Sequence, residues 1–466
     1  MLSLSPVRLL AAATLLVSAS SVYADTFFET HSDTLSALKQ QASEDTLSYE
    51  IVESLTTEVG ARFVGTPASD KSEQWAADKM RELGFDKVWM EESEATLWTR
   101  GTSSVSMVSP FQHELVALAL GNSVGTGDST LRADVVRFDS LDALKAAEPG
   151  SLNGKIAYVA FKMRRHIDGR GYGEAVGARV NGASEAAKKG AVAFIMRSVG
   201  TDSHRVAHTG VMNYEDDVKK IPALALSNPD ADLLDNALRR DEPVTLSLTV
   251  GASGEAGTTT IANVIGEITG SKYPEQVVTL GAHLDSWDVG TGAIDDGLGV
   301  GITLAAAHYI SKLEQRPERT IRVILFAAEE IGLAGAKDYV ARRNNDMSNH
   351  VIGAEWDFGN GNIYRMEPGV GPIALNDMRD FANYLAPMGI ALAKTNTAKG
   401  QSDMSALGNA GQPAVNFNPD GSDYFDFHHT HDDTLDKVNK EALKHNTAVY
   451  TLFAYFAAAS GVDFRE

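Results

Sequence analysis

The chain has 466 residues, no cysteine and a formal charge of −21. That balance excludes a nucleic-acid reader, which needs a basic patch; the missing cysteines exclude disulfides and any thiolate metal centre. Metal chemistry in this chain must use His, Asp and Glu, the donors of catalytic rather than structural zinc. At about 150 residues per domain, the length allows two or three domains.

Taken in chain order, the first residues set the compartment. Arg8 precedes an apolar run over residues 9–17, then small residues and Val22-Tyr23-Ala24. A cationic start, a short apolar stretch and small residues at the −3 and −1 positions read as a secretory leader cleaved near Ala24. The run is shorter than the roughly 20 residues that span a bilayer. An exported protein, periplasmic or extracellular, with no membrane anchor is therefore expected.

Residues 45–95 read as helix, loop and helix. Trp75, Met80 and Leu83 fall at helical spacing and Gly84 stops the run. Residues 88–91 read as a strand, and 101–127 as irregular. Between about 131 and 250 the pattern becomes a module of its own. Its strands are predicted at 155–161, 190–195, 221–226 and 244–250, with an Ala-rich helix at 182–189. Residues 251–257, rich in Gly, read as a return linker. From 258 onward strands and helices alternate, with strands at 277–282, 320–326 and from 351, and helices at 299–313 and 332–342. This βαβαβ order predicts an α/β fold with a mixed, mostly parallel sheet sandwiched by helices. Ligands in such folds bind beyond the carboxyl ends of the strands.

The polar interruptions fall at those ends: His283-Leu284-Asp285, Asp295-Asp296-Gly297, Glu329-Glu330, Asp357, and His428-His429-Thr430-His431-Asp432-Asp433. Each has an ordinary explanation alone. Asp295-Asp296-Gly297 makes a turn, and Glu329-Glu330 suits the start of a helix, where negative charge meets the dipole. Together they place several carboxylates on one rim, where mutual repulsion raises their pKa values. Two divalent cations remove that penalty. One bridging carboxylate, two imidazoles and two further carboxylates meet the donor count and leave room for water and substrate. Asp285 is expected to orient the His283 imidazole from behind.

These motifs, with Ile268 to Val278 ahead of them and Arg197-Ser198-Val199 and His208-Thr209-Gly210 in the middle module, resemble those of the co-catalytic zinc aminopeptidase and glutamate carboxypeptidase family. The resemblance covers nearly the whole chain after the leader. It implies the zinc exopeptidase fold, with residues 25–111 and 258–466 forming the peptidase domain and a protease-associated-like lid inserted at 112–257. It implies two zinc ions. Asp295 would bridge them, with His283 and Asp357 on one and His429 and Glu330 on the other, and Glu329 would be the general base. His429 is chosen because the ligand lies four residues before Asp433, the acidic residue preceding Thr434. The Asp295–Asp296 peptide bond is expected to be cis by the same likeness.

Asp296 is expected to support the ligands. His428 is the candidate oxyanion donor and His431 its alternative, because some relatives carry Tyr before the ligand His and this chain does not. Ser402 and Asp403, next to Gln401, are candidates for the substrate pocket. The implied activity is hydrolysis of dipeptides or short peptides with free termini. A broader aminopeptidase is the enzymatic alternative. A receptor-like binding protein on the same fold is opposed by the full ligand set. The same likeness, with the apolar Trp-bearing stretches, suggests a homodimer.

Overall fold

The structure, a computed structural model, describes residues 26–44, 46–254 and 256–466; the leader expected at residues 1–24 lies outside them. The Val- and Ile-rich runs suit a pleated, buried surface, and they form the middle of an eight-stranded sheet. Its strands lie in the order Lys87–Thr96, Thr258–Ile268, Arg319–Phe326, Tyr273–His283, His350–Glu355, Ala414–Pro419, Ile363–Gly369 and Ala391–Leu392.

The four strands from Arg319–Phe326 to Ala414–Pro419 are parallel. The sheet is mixed because its flanks reverse. Thr258–Ile268 runs antiparallel to both neighbours, since the short link at 269–272 turns the chain back. Ile363–Gly369 likewise opposes Ala414–Pro419. Successive side chains of a strand point to opposite faces. Ile321, Val323 and Leu325 accordingly join the larger core, and Ile324 and Phe326 join a smaller one with Tyr339, Met404 and Leu407. Helices cover both faces, as the alternating pattern requires.

On the larger side, Leu298–Ser311 packs against Leu47–Ser54, Ser32–Glu44 and Lys440–Ala459. Nearly every residue of Leu298–Ser311 is buried, so its glycines are contact points. The helix expected around 69–83 is Pro67–Glu82, with Thr66 capping Ser69 N–H.

A second eight-stranded sheet comes wholly from residues 103–250, in the order His113–Leu115, Ser103–Ser109, Thr245–Val250, Leu131–Phe138, Ile156–Val159, Ala193–Arg197, Ala223–Leu226 and Ala117–Ala119. The stretch 101–127, which shows no periodicity, supplies three of these strands. Two have only three residues, too short for an alternation to register. The Ala-rich helix extends over Arg170–Lys188, longer than its alanines alone imply. The core under this sheet includes Phe63, Trp98 and Trp287, so aromatic residues from outside the sheet tie it to the rest. No helix among the described residues is long and apolar enough to cross a membrane.

One glycine tests the helix packing. A Cβ on Gly301 would lie 2.5 Å from the Ser48 carbonyl oxygen and 2.9 Å from Val52. Gly301→Ala is expected to destabilise the fold by about 1–3 kcal/mol through overpacking, read by denaturant unfolding. An unchanged midpoint would contradict this packing.

Candidate metal centre

The parallel strands bring the site together by register. His283 ends its strand directly beside Phe326, and Gly281 pairs with Glu355 on the other side. The chain beyond Phe326 therefore carries Glu329 and Glu330 to the same rim as His283, and the chain beyond Glu355 carries Asp357 there. Asp295 arrives from the turn before Leu298–Ser311, and its peptide bond to Asp296 is cis. His429 follows the short helix Tyr424–Phe427 and has a left-handed backbone, φ 61°.

Asp295 lies between the two imidazoles. Its Oδ1 is 3.0 Å from His283 Nε2, and its Oδ2 is 3.3 Å from His429 Nε2. Asp357 Oδ1 stands 3.4 Å from His283 Nε2, and Glu330 Oε2 stands 3.0 Å from His429 Nε2. The other nitrogen of each ring is committed. His283 Nδ1 donates to the Asp285 main-chain carbonyl (2.9 Å), and His429 Nδ1 donates to the Thr209 carbonyl (3.3 Å). Nε2 of each neutral ring then turns a lone pair toward two carboxylate oxygens. Such an arrangement is stable only with a proton or a cation between the atoms. Donors about 2.0–2.2 Å from a tetrahedral zinc lie about 3.4 Å from each other, which matches the observed spacings. Glu330 Oε1 is buried without a partner, a further oxygen open to an ion. The donor set of imidazoles and carboxylates fits zinc. His283, Asp295 and Glu330 also lie within reach of a common ion, as do His283, Asp296 and Asp357, and Asp295, His428 and His429.

The electrostatics point the same way. Burial, with the charge of Asp357, pushes the Glu329 carboxyl up to about 8. Burial lifts Glu330 to about 7 against the pull of His429. Burial opposes charge on the His429 ring, yet Glu330 and Asp295 outweigh it and hold it up at about 9. Carboxyls reluctant to ionise beside imidazoles that retain protons mark a cluster short of positive charge.

The remaining expected residues fall around this centre in different ways. The Asp285 carboxylate does not mainly hold the imidazole, from which Oδ1 is 3.7 Å away. It accepts from the main-chain N–H groups of Glu329 and Glu330 at 3.0 and 3.3 Å, fixing that turn. Asp296 accepts from His283 N–H (3.2 Å) and from Gly299 N–H (2.9 Å). The Ser402 hydroxyl donates to Glu329 Oε1 at 2.5 Å, so it steadies that carboxylate. Asp403 is fully buried, and neither of its carboxylate oxygens has a partner; it is not among the residues lining the cavity. His428 stacks on His429 with ring centroids 3.5 Å apart and lines the cavity. Its Nδ1 is buried and unpartnered, and burial holds its pKa well below the usual histidine range. His431 is exposed and lines no part of the cavity.

Several residues that support the centre were given no supporting role by the sequence. Asp433, used only as a counting mark, accepts from Ile294 N–H at 2.6 Å and Asp295 N–H at 3.3 Å. Buried Arg62 donates to the carbonyls of Leu284, Thr291 (2.8 Å) and Gly292 (2.9 Å). The second sheet grips the His428–His429 loop. His208 Nδ1 donates to the His428 carbonyl (2.7 Å) while its Nε2 faces Asp202 (2.6 Å), and Thr209 N–H donates to the His429 carbonyl (3.0 Å). Over the centre lies a cavity of about 380 Å³ lined by Glu329, Glu330, Asp295, Asp357, Ser402, His428, His429, Tyr424 and Phe425, with Tyr172, Arg179 and Val211 contributed by the second sheet's unit.

The comparisons agree with this geometry. The sequence matches the model of peptidase family M28 over residues 263–454. Carboxypeptidase Q of Mus musculus is 34% identical over 411 residues, covering 88% of this chain and 85% of that protein. The crystal structure of a peptidase M28 precursor from Shewanella amazonensis SB2B is similar with a TM-score of 0.92 and 48% identity, covering 94% of this chain and 98% of that one. A zinc aminopeptidase from Bacillus subtilis shares the fold, with a TM-score of 0.64 at 21% identity over 90% of this chain and 97% of that one.

The Asp433 clamp gives a test. Asp433→Ala frees the backbone that presents Asp295, and loss of such a support typically costs 10- to 100-fold in metal affinity. Zinc titration of the purified variant is expected to show a loss of that size, and parental affinity would remove Asp433 from the supporting set.

Proposed function

The chain belongs to peptidase family M28 and is a metallopeptidase, and we propose that it is an exported two-zinc exopeptidase acting on dipeptides and other short peptides. The observation that carries this reading is the position of Asp295, with one carboxylate oxygen near each of two imidazoles whose lone pairs converge on carboxylates. In this reading His283, Asp357 and Asp295 hold one ion, and His429, Glu330 and Asp295 hold the other.

Zinc held by these residues would supply Lewis acidity toward the scissile carbonyl and would lower the pKa of a water molecule. The chain's own residues do the rest. Glu329 is the general base: its carboxylate opens on the cavity, the Ser402 hydroxyl orients Oε1, and Asp285 fixes its main chain. It takes a proton from the attacking water and returns it to the leaving amine. Burial, with the charge of Asp357, lifts its pKa, and bound cations would offset the part that charge contributes. His428 is the oxyanion donor in this reading, because its ring lines the cavity beside Asp295 while the alternative, His431, is exposed and lines none of it. Ser402 serves the base, whereas Asp403 lies buried outside the cavity.

Cavity size supports short substrates. A volume of about 380 Å³ lies near the lower end of the roughly 300–1,000 Å³ usual for ligand pockets. The second sheet, which begins at Ser103 rather than after the expected boundary at 112 because Ser103–Ser109 pairs with Thr245–Val250, is read as a protease-associated-like unit inserted into the peptidase up to about Gly257, and it closes one side of the cavity. Cleavage of the leader near Ala24 would deliver the protein to the periplasm or the medium.

Two measurements test this reading. Glu329→Gln keeps the shape of the side chain and removes the base, so kcat on a dipeptide is expected to fall about 100- to 10,000-fold with two zinc ions still bound; hydrolysis at the parental rate would dismiss Glu329 as the base. A peptide panel separates the dipeptidase from a broader aminopeptidase. Dipeptides are expected to be the preferred substrates, and stepwise removal of residues from the amino end of long peptides would overturn the assignment.

A further inference from the structure

The helix Arg170–Lys188 carries a charge where its pattern calls for a small residue. Ala175, Ala178, Gly182, Ala183 and Ala186 form its buried stripe, and Arg179 lies on that stripe with only 5% of its surface exposed. Its two hydrogen bonds go to uncharged oxygens: Nη1 donates to the Thr209 carbonyl at 3.4 Å and Nη2 to the Tyr172 hydroxyl at 2.5 Å. Nε is buried without a partner. A guanidinium has five N–H donors; with two engaged, three remain, and Arg179 forms no ion pair among the described residues. A buried cation is ordinarily matched by an anion.

Arg179 lines the cavity that also holds Glu329, Glu330, Asp295 and Asp357. Space for it is kept by Gly210, whose backbone has φ +135°: a Cβ there would lie 2.3 Å from Arg179 Nη1 and 2.7 Å from Nε. Tyr172 connects it to the reacting end of the cavity, since its hydroxyl accepts from Arg179 while its ring stands edge-on to His428 with centroids 5.4 Å apart. A planar, permanently charged fork one side chain away from the scissile position suits a carboxylate, which it can bind through two parallel hydrogen bonds.

We propose that Arg179 binds the free carboxylate of the substrate's terminal residue, so that the enzyme selects peptides by their carboxyl end and the dipeptide is the shortest that fits. This assignment rests on the exopeptidase reading of the same cavity. It gives the second sheet's unit a chemical role in addition to that of a wall, because it supplies the specificity-determining cation.

The test uses the full-length, zinc-loaded protein with one dipeptide and its carboxyl-terminal amide. The parent is expected to favour the free acid at least 100-fold in kcat/KM, mainly through KM. In Arg179→Gln this ratio is expected to collapse to near unity, with zinc content and melting temperature held. Arg179→Lys retains charge but not the fork and should give an intermediate ratio; it carries the same readout if the Gln variant does not fold. Gly210→Ala, which crowds the guanidinium, should lower the ratio as well. Equal hydrolysis of acid and amide by the parent, or an undiminished ratio in Arg179→Gln, overturns the proposal while leaving the peptidase intact. If the parent hydrolyses neither substrate, the exopeptidase reading itself fails. Calorimetric binding of the free dipeptide against its amide, parent against Arg179→Gln, then decides the carboxylate site by itself: loss of acid-selective binding in the variant supports it, and equal affinities overturn it.

Discussion

Two imidazoles and a shared carboxylate, buried together, set the demands that the surrounding structure meets. Asp295 has to keep one oxygen toward His283 and the other toward His429, although these residues come from opposite ends of the peptidase sequence. An error of 1 Å would leave one ring facing a carboxylate with nothing shared between them, and buried groups tolerate that poorly. The fold answers with redundancy. Asp433 holds the backbone ahead of Asp295, Asp296 ties the turn to the His283 strand, and Arg62 gathers the carbonyls of the intervening loop. The buried charge of Arg62 is offset by Asp433, Asp285, Asp296 and Asp295 around it. The cluster is therefore balanced through its supports as well as across its centre.

The second sheet belongs to this balance. The proposed ligand His429 keeps Nε2 toward Asp295 because its Nδ1–H is taken by Thr209, a residue of the other sheet's unit. His208, backed by Asp202, holds the preceding carbonyl, and Arg165 grips Asp426 at 2.6 and 2.8 Å from across the same gap. Arg100, salt-bridged to Asp288, donates to Thr209 Oγ1 at 3.0 Å. In the proposed reading the inserted unit thus supplies the acceptor for a ligand's ring as well as a wall of the cavity.

The sequence made the first layer of this site legible because that layer breaks a pattern. His283, Glu329, Glu330 and Asp357 interrupt runs of apolar residues at the ends of parallel strands, where ligands bind in such folds, and the structure brings all four to one rim with Asp295 and His429. The supports were hidden for the opposite reason. Asp433 marks the place of His429 in a polar loop without revealing which backbone it holds, and Arg62 acts on carbonyls more than two hundred positions away. Which strands of the mixed sheet would run antiparallel was also unreadable, since strand direction depends on which neighbours pair and alternation shows only which face is buried. Arg179 did leave a trace: a charged residue in register with buried alanines, weak because long side chains often bury their stems and carry the charge to water.

That trace separates the two halves of the cavity by chemistry. The main sheet gathers carboxylates and imidazoles, which suit cations and the carbonyl they polarise. The second unit brings Arg179 and the aromatic ring of Tyr172, which suit an anion at the end of a chain. A peptide spanning both halves must place its scissile bond at one and its carboxylate at the other, and in a cavity this small the distance between them limits how many residues can lie past the cut. In the proposed reading, length selection and terminus selection have one structural source, the grip of His208 and Thr209 that holds the second unit against the His428–His429 loop. Loosening that grip would disturb the orientation of His429 and the distance to Arg179 together, so binding and catalysis should decline in step.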